Sequence, residues 1–193
     1  MTAIILLAAG ESSRMGSPKQ LLDFKGVPLL RHAAVTALEA ATGPVIAVLG
    51  GRANELSPAL ANLPVQPVLN ERWATGMGSS IQTGLCAIEQ RADVTGAILA
   101  LADQPYITAD FFRRLVQWHQ ESGKGIIAAA YSGTVGVPVY FSRATFSLLM
   151  ALSPEQGCKG VILGNVKDRL LLDCPEAAID IDTPEDYRAA LQS

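Results

Sequence analysis

The sequence predicts a single α/β domain in three layers, a mostly parallel twisted sheet with helices on both faces. Two patterns predict it. Short apolar runs recur at residues 3–9, 45–49, 66–69, 97–102, 126–130 and 137–141, and longer segments with helical spacing separate most of them. Apolar runs without alternation fit strands covered on both faces, as parallel strands are. Strands alternating with helices fit right-handed βαβ crossovers. The chain has 193 residues, 49% apolar and 17% charged. That length suits one core, and that composition excludes disorder. A chain of this size buries roughly 70% of its unfolded surface and needs no disulfide or metal to stay folded.

The helices carry their own punctuation. Pro28 opens the first, Leu29, Leu30, Ala33, Ala34, Ala37 and Leu38 give it an apolar face, and Gly43-Pro44 stops it. A second runs over residues 77–92, with Ile81, Leu85 and Ile88 in register. A third runs over 108–122, Thr108 capping it and Asp110 loading its first turn. The last opens at Thr183-Pro184-Glu185-Asp186, where Thr caps, Pro sits at N1 and Asp186 at N3 as in a capping box. No repeat, low-complexity segment or linker divides the chain.

Fifteen basic against eighteen acidic residues leave a net charge of −3. The chain lacks the basic footprint of a nucleic-acid binder, yet a few placed cations suffice for a single nucleotide. Cys86, Cys158 and Cys174 are odd in number and lack CxxC spacing, which excludes a disulfide framework and a zinc site. Cys86 is expected in the core, His119 on a helix surface and His32 on a helix surface or edge. No apolar stretch approaches the ~18 residues of a membrane helix. The opening MTAIILLAAG lacks the basic flank of a signal peptide. The expectation is a reduced cytoplasmic protein with no membrane or nucleic-acid partner.

Four places carry residues suited to chemistry. The first apolar run ends in Leu7-Ala8-Ala9-Gly10-Glu11-Ser12-Ser13-Arg14-Met15-Gly16-Ser17-Pro18-Lys19. Loops at the carboxyl ends of parallel strands are where open α/β sheets bind ligands. Backbone N–H groups of such a loop can cradle phosphates, and Arg14 and Lys19 can neutralise them. It is neither a Walker A loop, because Pro18 precedes the lysine, nor GxGxxG. Next, Asp103 ends the run 97–102 before Gln104-Pro105, placing a carboxylate at the tip of a buried strand. Mg²⁺ is held by one or two carboxylates plus phosphate oxygens and water, although a plain turn uses the same residues.

The third place is 178–182, whose alternation puts Ile179 and Ile181 on one face and Asp180 and Asp182 on the other. These carboxylates either complete a Mg²⁺ site with Asp103 or serve the following helix dipole. The fourth is Gly76-Met77-Gly78-Ser79-Ser80, a helix start that can hold a base or phosphate, or merely cap. Trp73 beside it can stack on a ligand or pack in the loop.

LAAGESSRMGSPKQLL closely resembles the signature of the nucleotidyltransferases related to the molybdenum cofactor enzymes, and within that group the cytidylyltransferases. The resemblance covers nearly the whole chain. Asn70-x-x-Trp73-x-x-Gly76-Met77-x-Ser79-Ser80, Leu101-Ala102-Asp103-Gln104-Pro105, Gly136-Val137-Pro138-Val139 and Asp180-Ile181-Asp182-Thr183-Pro184-Glu185-Asp186 follow in the expected order. It implies a nucleotide-diphospho-sugar transferase-like, Rossmann-like fold. It also implies Mg²⁺-dependent transfer of CMP from CTP to molybdopterin, with release of pyrophosphate.

By the same resemblance, Leu7, Ala8, Ala9, Gly10, Glu11, Ser12, Ser13, Arg14, Met15, Gly16, Lys19, Ser79, Ser80 and Asp103 bind the nucleotide, with Ser80 near the cytosine. Arg14 and Lys19 act on the triphosphate and the departing pyrophosphate, and Asp103 with Asp180 or Asp182 holds Mg²⁺. Guanylyltransferases of the group tend to carry Ala-Gly-Gly where this chain has Ala8-Ala9-Gly10, which favours CTP over GTP. The chain departs from the pattern at Glu155-Gln156, where the group usually has Gly-Asp, and at Gly136-Val137-Pro138, where many members carry His or Asn before the proline. Both departures bear on the acceptor. Other readings are a guanylyl, isoprenoid or sugar-phosphate nucleotidyltransferase, or a chaperone that carries cofactor to a recipient molybdoenzyme. No Ser/His/Asp or Cys/His signature supports covalent catalysis.

Overall fold

The structure, a computed structural model, describes residues 1–11 and 18–191. Its strands are β1 (Thr2–Ala8), β2 (Asp23–Phe24), β3 (Val27–Pro28), β4 (Val45–Leu49), β5 (Val65–Leu69), β6 (Gly96–Leu101), β7 (Ile126–Tyr131), β8 (Thr134–Ser142) and β9 (Arg169–Asp173). Its α-helices are α1 (Leu29–Glu39), α2 (Ala53–Leu56), α3 (Met77–Cys86), α4 (Ala109–Ser122), α5 (Phe146–Met150), α6 (Lys159–Gly164) and α7 (Pro184–Ala190). Seven strands form one sheet in the order β5-β4-β1-β6-β8-β7-β9, and β2 and β3 pair separately as a small hairpin.

The sheet is mostly parallel, as the apolar runs predict. Only β8 runs antiparallel to its neighbours β6 and β7. All six expected strands are present; β9 adds a seventh to the main sheet. It was hidden because it is an edge strand with three leucines between charged residues, of which only Leu172 is buried. Along β7 and β8 the register slips between Ala128 and Ala129, so that Val137-Pro138 falls in the bulge. A proline tolerates that place because no ladder hydrogen bond is asked of it.

Alternation along β1 divides the core. Ile4 and Leu6 face a layer with Leu30, Ala34, Phe112 and Leu115 from α1 and α4. Ile5 and Leu7 face the opposite layer with Ile81, Leu85, Leu149 and Ile162 from α3, α5 and α6. Burying each such side chain stabilises the fold by about 1.5–3 kcal/mol. Gly84 lets α3 sit close on the sheet, since a Cβ there would lie 2.5 Å from Ile5 Cγ2.

Thr108 caps α4 by accepting from the Phe111 N–H, and Thr183 and Asp186 form the expected capping box on α7. Helix α1 stops earlier than Gly43-Pro44 suggests, because Ala41 turns left-handed at φ 54°. Helix α3 is shorter than 77–92: beyond Cys86 the Ile88 N–H bonds to the Leu85 carbonyl, a tighter turn. Cys86 therefore lies on the outer side of the last turn and is exposed, not in the core.

Both histidines are fixed rather than free on the surface. His32 Nε2 bonds with the Pro105 carbonyl, and the His119 ring packs 4.5 Å from Tyr140. Residues 179–182 form no strand. Ile181 is fully buried against Phe24 and Leu29, whereas Ile179 is exposed. Among the described residues, no helix is long and apolar enough to cross a membrane.

This packing predicts the thiol chemistry. Burial pushes Cys158 up to about 12 and Cys174 up to about 11, which keeps both as unreactive thiols. An aromatic disulfide reagent should label one cysteine, Cys86, in the native protein and all three after denaturation. Rapid labelling of three in the native protein would contradict the packing.

Candidate functional site

The parallel register decides where the site lies. β1 pairs with β6 from Thr2↔Gly96 to Leu7↔Leu101, and with β4 from Ile4↔Val45 to Ala8↔Leu49. The residues that follow β1 and β6 therefore leave the sheet side by side. They open on a cavity of about 510 Å³. Leu7 to Glu11 line one side, Leu101 to Asp103 the floor, Gly76, Met77 and Ser80 the start of α3, and Asp180 and Asp182 the far wall. Trp73 is shared with an adjoining hollow of about 140 Å³ over Gly50, Gly51 and Arg52. Gly51 makes that possible: a Cβ there would come 2.7 Å from the indole.

Lys19 crosses the cavity floor. Its ammonium lies 2.5 Å from Asp103 Oδ2 and 2.5 Å from Asp182 Oδ1. Burial alone would lower the lysine pKa, but the two carboxylates outweigh it and hold Lys19 above its ordinary value. Burial raises Asp103; Lys19 opposes that, and the neighbouring charges of Asp180 and Asp182 add to the rise. The lysine thus remains charged because it serves two acids. Asp180 lines the same cavity.

Lys19 is brought there by a residue that sequence reasoning did not single out. Gln20 is buried, and its amide donates to the Ala8 carbonyl at 3.2 Å and the Gly10 carbonyl at 2.9 Å. The chain returning at Pro18 is thereby tied to the end of β1. The only signal was an amide between Lys19 and Leu21-Leu22, a residue type able to donate twice.

The donor set fits a hard divalent cation. Two carboxylates already share one positive charge, and Asp103 Oδ1 is buried with no hydrogen-bond partner among the described residues. Among those residues no group of three or more His, Cys, Asp or Glu gathers to cage a metal. A bound ion would then complete its shell from phosphate oxygens and water, the habit of Mg²⁺.

The start of α3 behaves differently from expectation. The Gly78 and Ser79 N–H groups donate to the Pro154 carbonyl, so these two are not open to phosphate. Ser79 is fully buried, and its hydroxyl bonds the Gly76 and Arg72 carbonyls; it holds the loop together and does not line the cavity. Ser80 does line it. The departing segment Glu155-Gln156 packs directly behind this turn, where a Cβ on Gly76 would lie 2.7 Å from Glu155 Cα. Ser12, Ser13, Arg14, Met15 and Gly16 lie outside the described residues.

The chain is similar to known proteins in sequence and in fold. The MobA-like NTP transferase domain family matches residues 4–169. The purine catabolism protein PucB of Bacillus subtilis is 29% identical over 195 residues, covering 95% of this chain and 92% of that protein. The molybdenum cofactor cytidylyltransferase of Escherichia coli is 28% identical, covering 98% and 96%. The nicotine blue oxidoreductase of Paenarthrobacter nicotinovorans is 38% identical over 130 residues, covering 66% and 61%. Among solved structures, the manganese complex of Rv0371c from Mycobacterium tuberculosis matches with a TM-score of 0.80 at 29% identity, covering 100% and 98%.

Proposed function

We infer that this chain, which belongs to the MobA-like NTP transferase family, transfers CMP from CTP to a molybdopterin-type phosphate acceptor and releases pyrophosphate. The observation that carries this reading is the Lys19 ammonium held between Asp103 and Asp182 at the open ends of β1 and β6. Nucleotidyl transfer asks mainly for positioning and charge neutralisation, and this cluster offers both signs of charge within one cavity. Asp103 and Asp182 would hold Mg²⁺, which supplies Lewis-acid stabilisation of phosphate charge when bound. The manganese found in the Rv0371c structure supports a divalent ion in this fold.

Lys19 places its charge where the phosphates would lie, and Arg14 is proposed to assist it. Asp103 and Asp182 orient that ammonium as well as any cation. The edge from Leu7 to Gly10 with Ser80 and Trp73 would receive the nucleoside. The acceptor phosphate is already ionised near neutral pH, so no general base is required.

Donor choice rests on Ala9. It is buried at the end of β1 and lines the cavity. Its Cβ narrows the space for a purine, whereas a smaller pyrimidine still fits. The relative named as an oxidoreductase favours a second reading, redox chemistry in the same cavity. Release of pyrophosphate from CTP in the presence of acceptor separates the two.

Asp103→Ala should lower pyrophosphate release at least a hundredfold, in line with the several kcal/mol a metal ligand contributes, while circular dichroism stays that of the wild type. A variant with near wild-type release would refute the role of Asp103. In competition binding with Mg²⁺, the wild type should favour CTP over GTP about 10–200-fold, and Ala9→Gly should narrow that ratio. Equal wild-type affinities would refute the donor assignment, and an unchanged ratio in Ala9→Gly would remove Ala9 as its cause.

A further inference from the structure

Asn70 follows β5 and leads into the turn before α3, and it is 2% exposed. Its hydrogen bonds determine one another. The Arg72 backbone N–H donates to Asn70 Oδ1 at 2.9 Å, which accounts for the amide oxygen. Ser79 Oγ lies 2.7 Å from the Gly76 carbonyl and 3.0 Å from the Arg72 carbonyl. Carbonyls only accept, so the single Ser79 proton is committed there. Ser79 can then only accept from Asn70, across 2.8 Å. The amide must turn its NH₂ toward the serines, and its nitrogen also lies 3.0 Å from Ser80 Oγ, to which it donates. Ser80 is an acceptor toward Asn70, and no group among the described residues takes its proton. Ser80 is also the serine of the pair that lines the cavity.

We propose that Asn70 is a specificity-determining positioning residue. By holding Ser80 as an acceptor on the protein side, it makes the hydroxyl a donor on the cavity side, so the site reads an acceptor atom of the nucleobase. Cytosine offers O2 and N3 as such atoms, whereas uracil carries a proton on N3, so a donor aimed at that edge would meet an acceptor in CTP and another donor in UTP. This rests on the reading of the cavity as a nucleotide site. A donor facing a donor in a desolvated pocket loses a hydrogen bond and leaves a polar group unpaired, which is how sites of this kind reject a wrong base.

Asn70→Asp tests the polarity directly. It keeps an oxygen for the Arg72 N–H but replaces the NH₂ with an acceptor. The Ser80 proton would then turn toward the carboxylate, and the cavity would face a lone pair. CTP affinity with Mg²⁺ is measured by calorimetry on the wild type, Asn70→Asp, Ser80→Ala and the double variant. Asn70→Asp and Ser80→Ala should each weaken CTP about tenfold, the scale of one lost hydrogen bond. The double variant should also lose about tenfold, because the donor can be lost only once. If Asn70→Asp fails to fold by circular dichroism, Asn70→Ala replaces it in the cycle without adding charge, and its loss with Ser80→Ala should likewise fall short of multiplying.

Two results overturn the proposal: an Asn70 variant that binds CTP as the wild type does, or losses that multiply to about a hundredfold. Either would make Asn70 a loop support only. A wild type that prefers another nucleotide would instead overturn the CTP reading, and the same cycle run on that nucleotide would still decide the role of Asn70.

Discussion

One ammonium group joins three parts of the chain that the sequence keeps far apart. Lys19 comes from the loop after β1, Asp103 from the tip of β6, and Asp182 from the segment before α7. Without it, acids would face one another in a poorly solvated cavity, where like charges raise each other's pKa and resist ionisation. The lysine satisfies both, and they in turn keep it charged against burial. Its partners are held by backbone as well as by charge. The Ile181 N–H donates to the Asp103 carbonyl at 3.0 Å, and the buried Ile181 side chain anchors the acids on either side of it. The Asp186 carboxylate accepts from the N–H groups of Asp182 and Thr183, so the helix cap also positions a cavity residue.

The two sides of the cavity divide the work by what their backbone leaves open. At the start of α3 the Gly78 and Ser79 N–H groups are already taken by Pro154, and the Ser80 hydroxyl lines the cavity. That side suits a neutral polar group such as a base. At the ends of β1 and β6 the cavity is charged, and it suits phosphate and a cation. A nucleoside triphosphate has that same division between its two ends, so the polarity of the cavity and the polarity of the donor agree.

The sheet could be read from the chain because parallel strands buried on both faces must be apolar throughout. β9 could not, since an edge strand needs only one inward leucine. Lys19, Asp103 and Asp182 were each visible because each stands where an element begins or ends, beside a proline or a cap. Asp103 was already expected to meet Asp180 or Asp182, but the Lys19 bridge between Asp103 and Asp182 was not, because spacing along the chain says nothing of distance across a crossover. Gln20 and Asn70 were harder still: an amide matters here through which neighbours it can donate to, a property of geometry alone. Ser79 and Ser80 look identical in sequence, yet one helical step of about 100° turns one into the loop and the other into the cavity. The same step puts Cys86 outside while Leu85 is in the core.

The carboxylates bridged by Lys19 are proposed as a joint site for a divalent cation and a triphosphate. Mn²⁺ binding, followed by electron paramagnetic resonance with and without CTP, tests it most directly. If phosphate oxygens complete the cation's shell, CTP must tighten Mn²⁺ binding, and by linkage Mn²⁺ must tighten CTP by the same factor. The expected mutual gain is at least about tenfold, within the usual range of coupling between sites. Mn²⁺ affinity indifferent to CTP would contradict it.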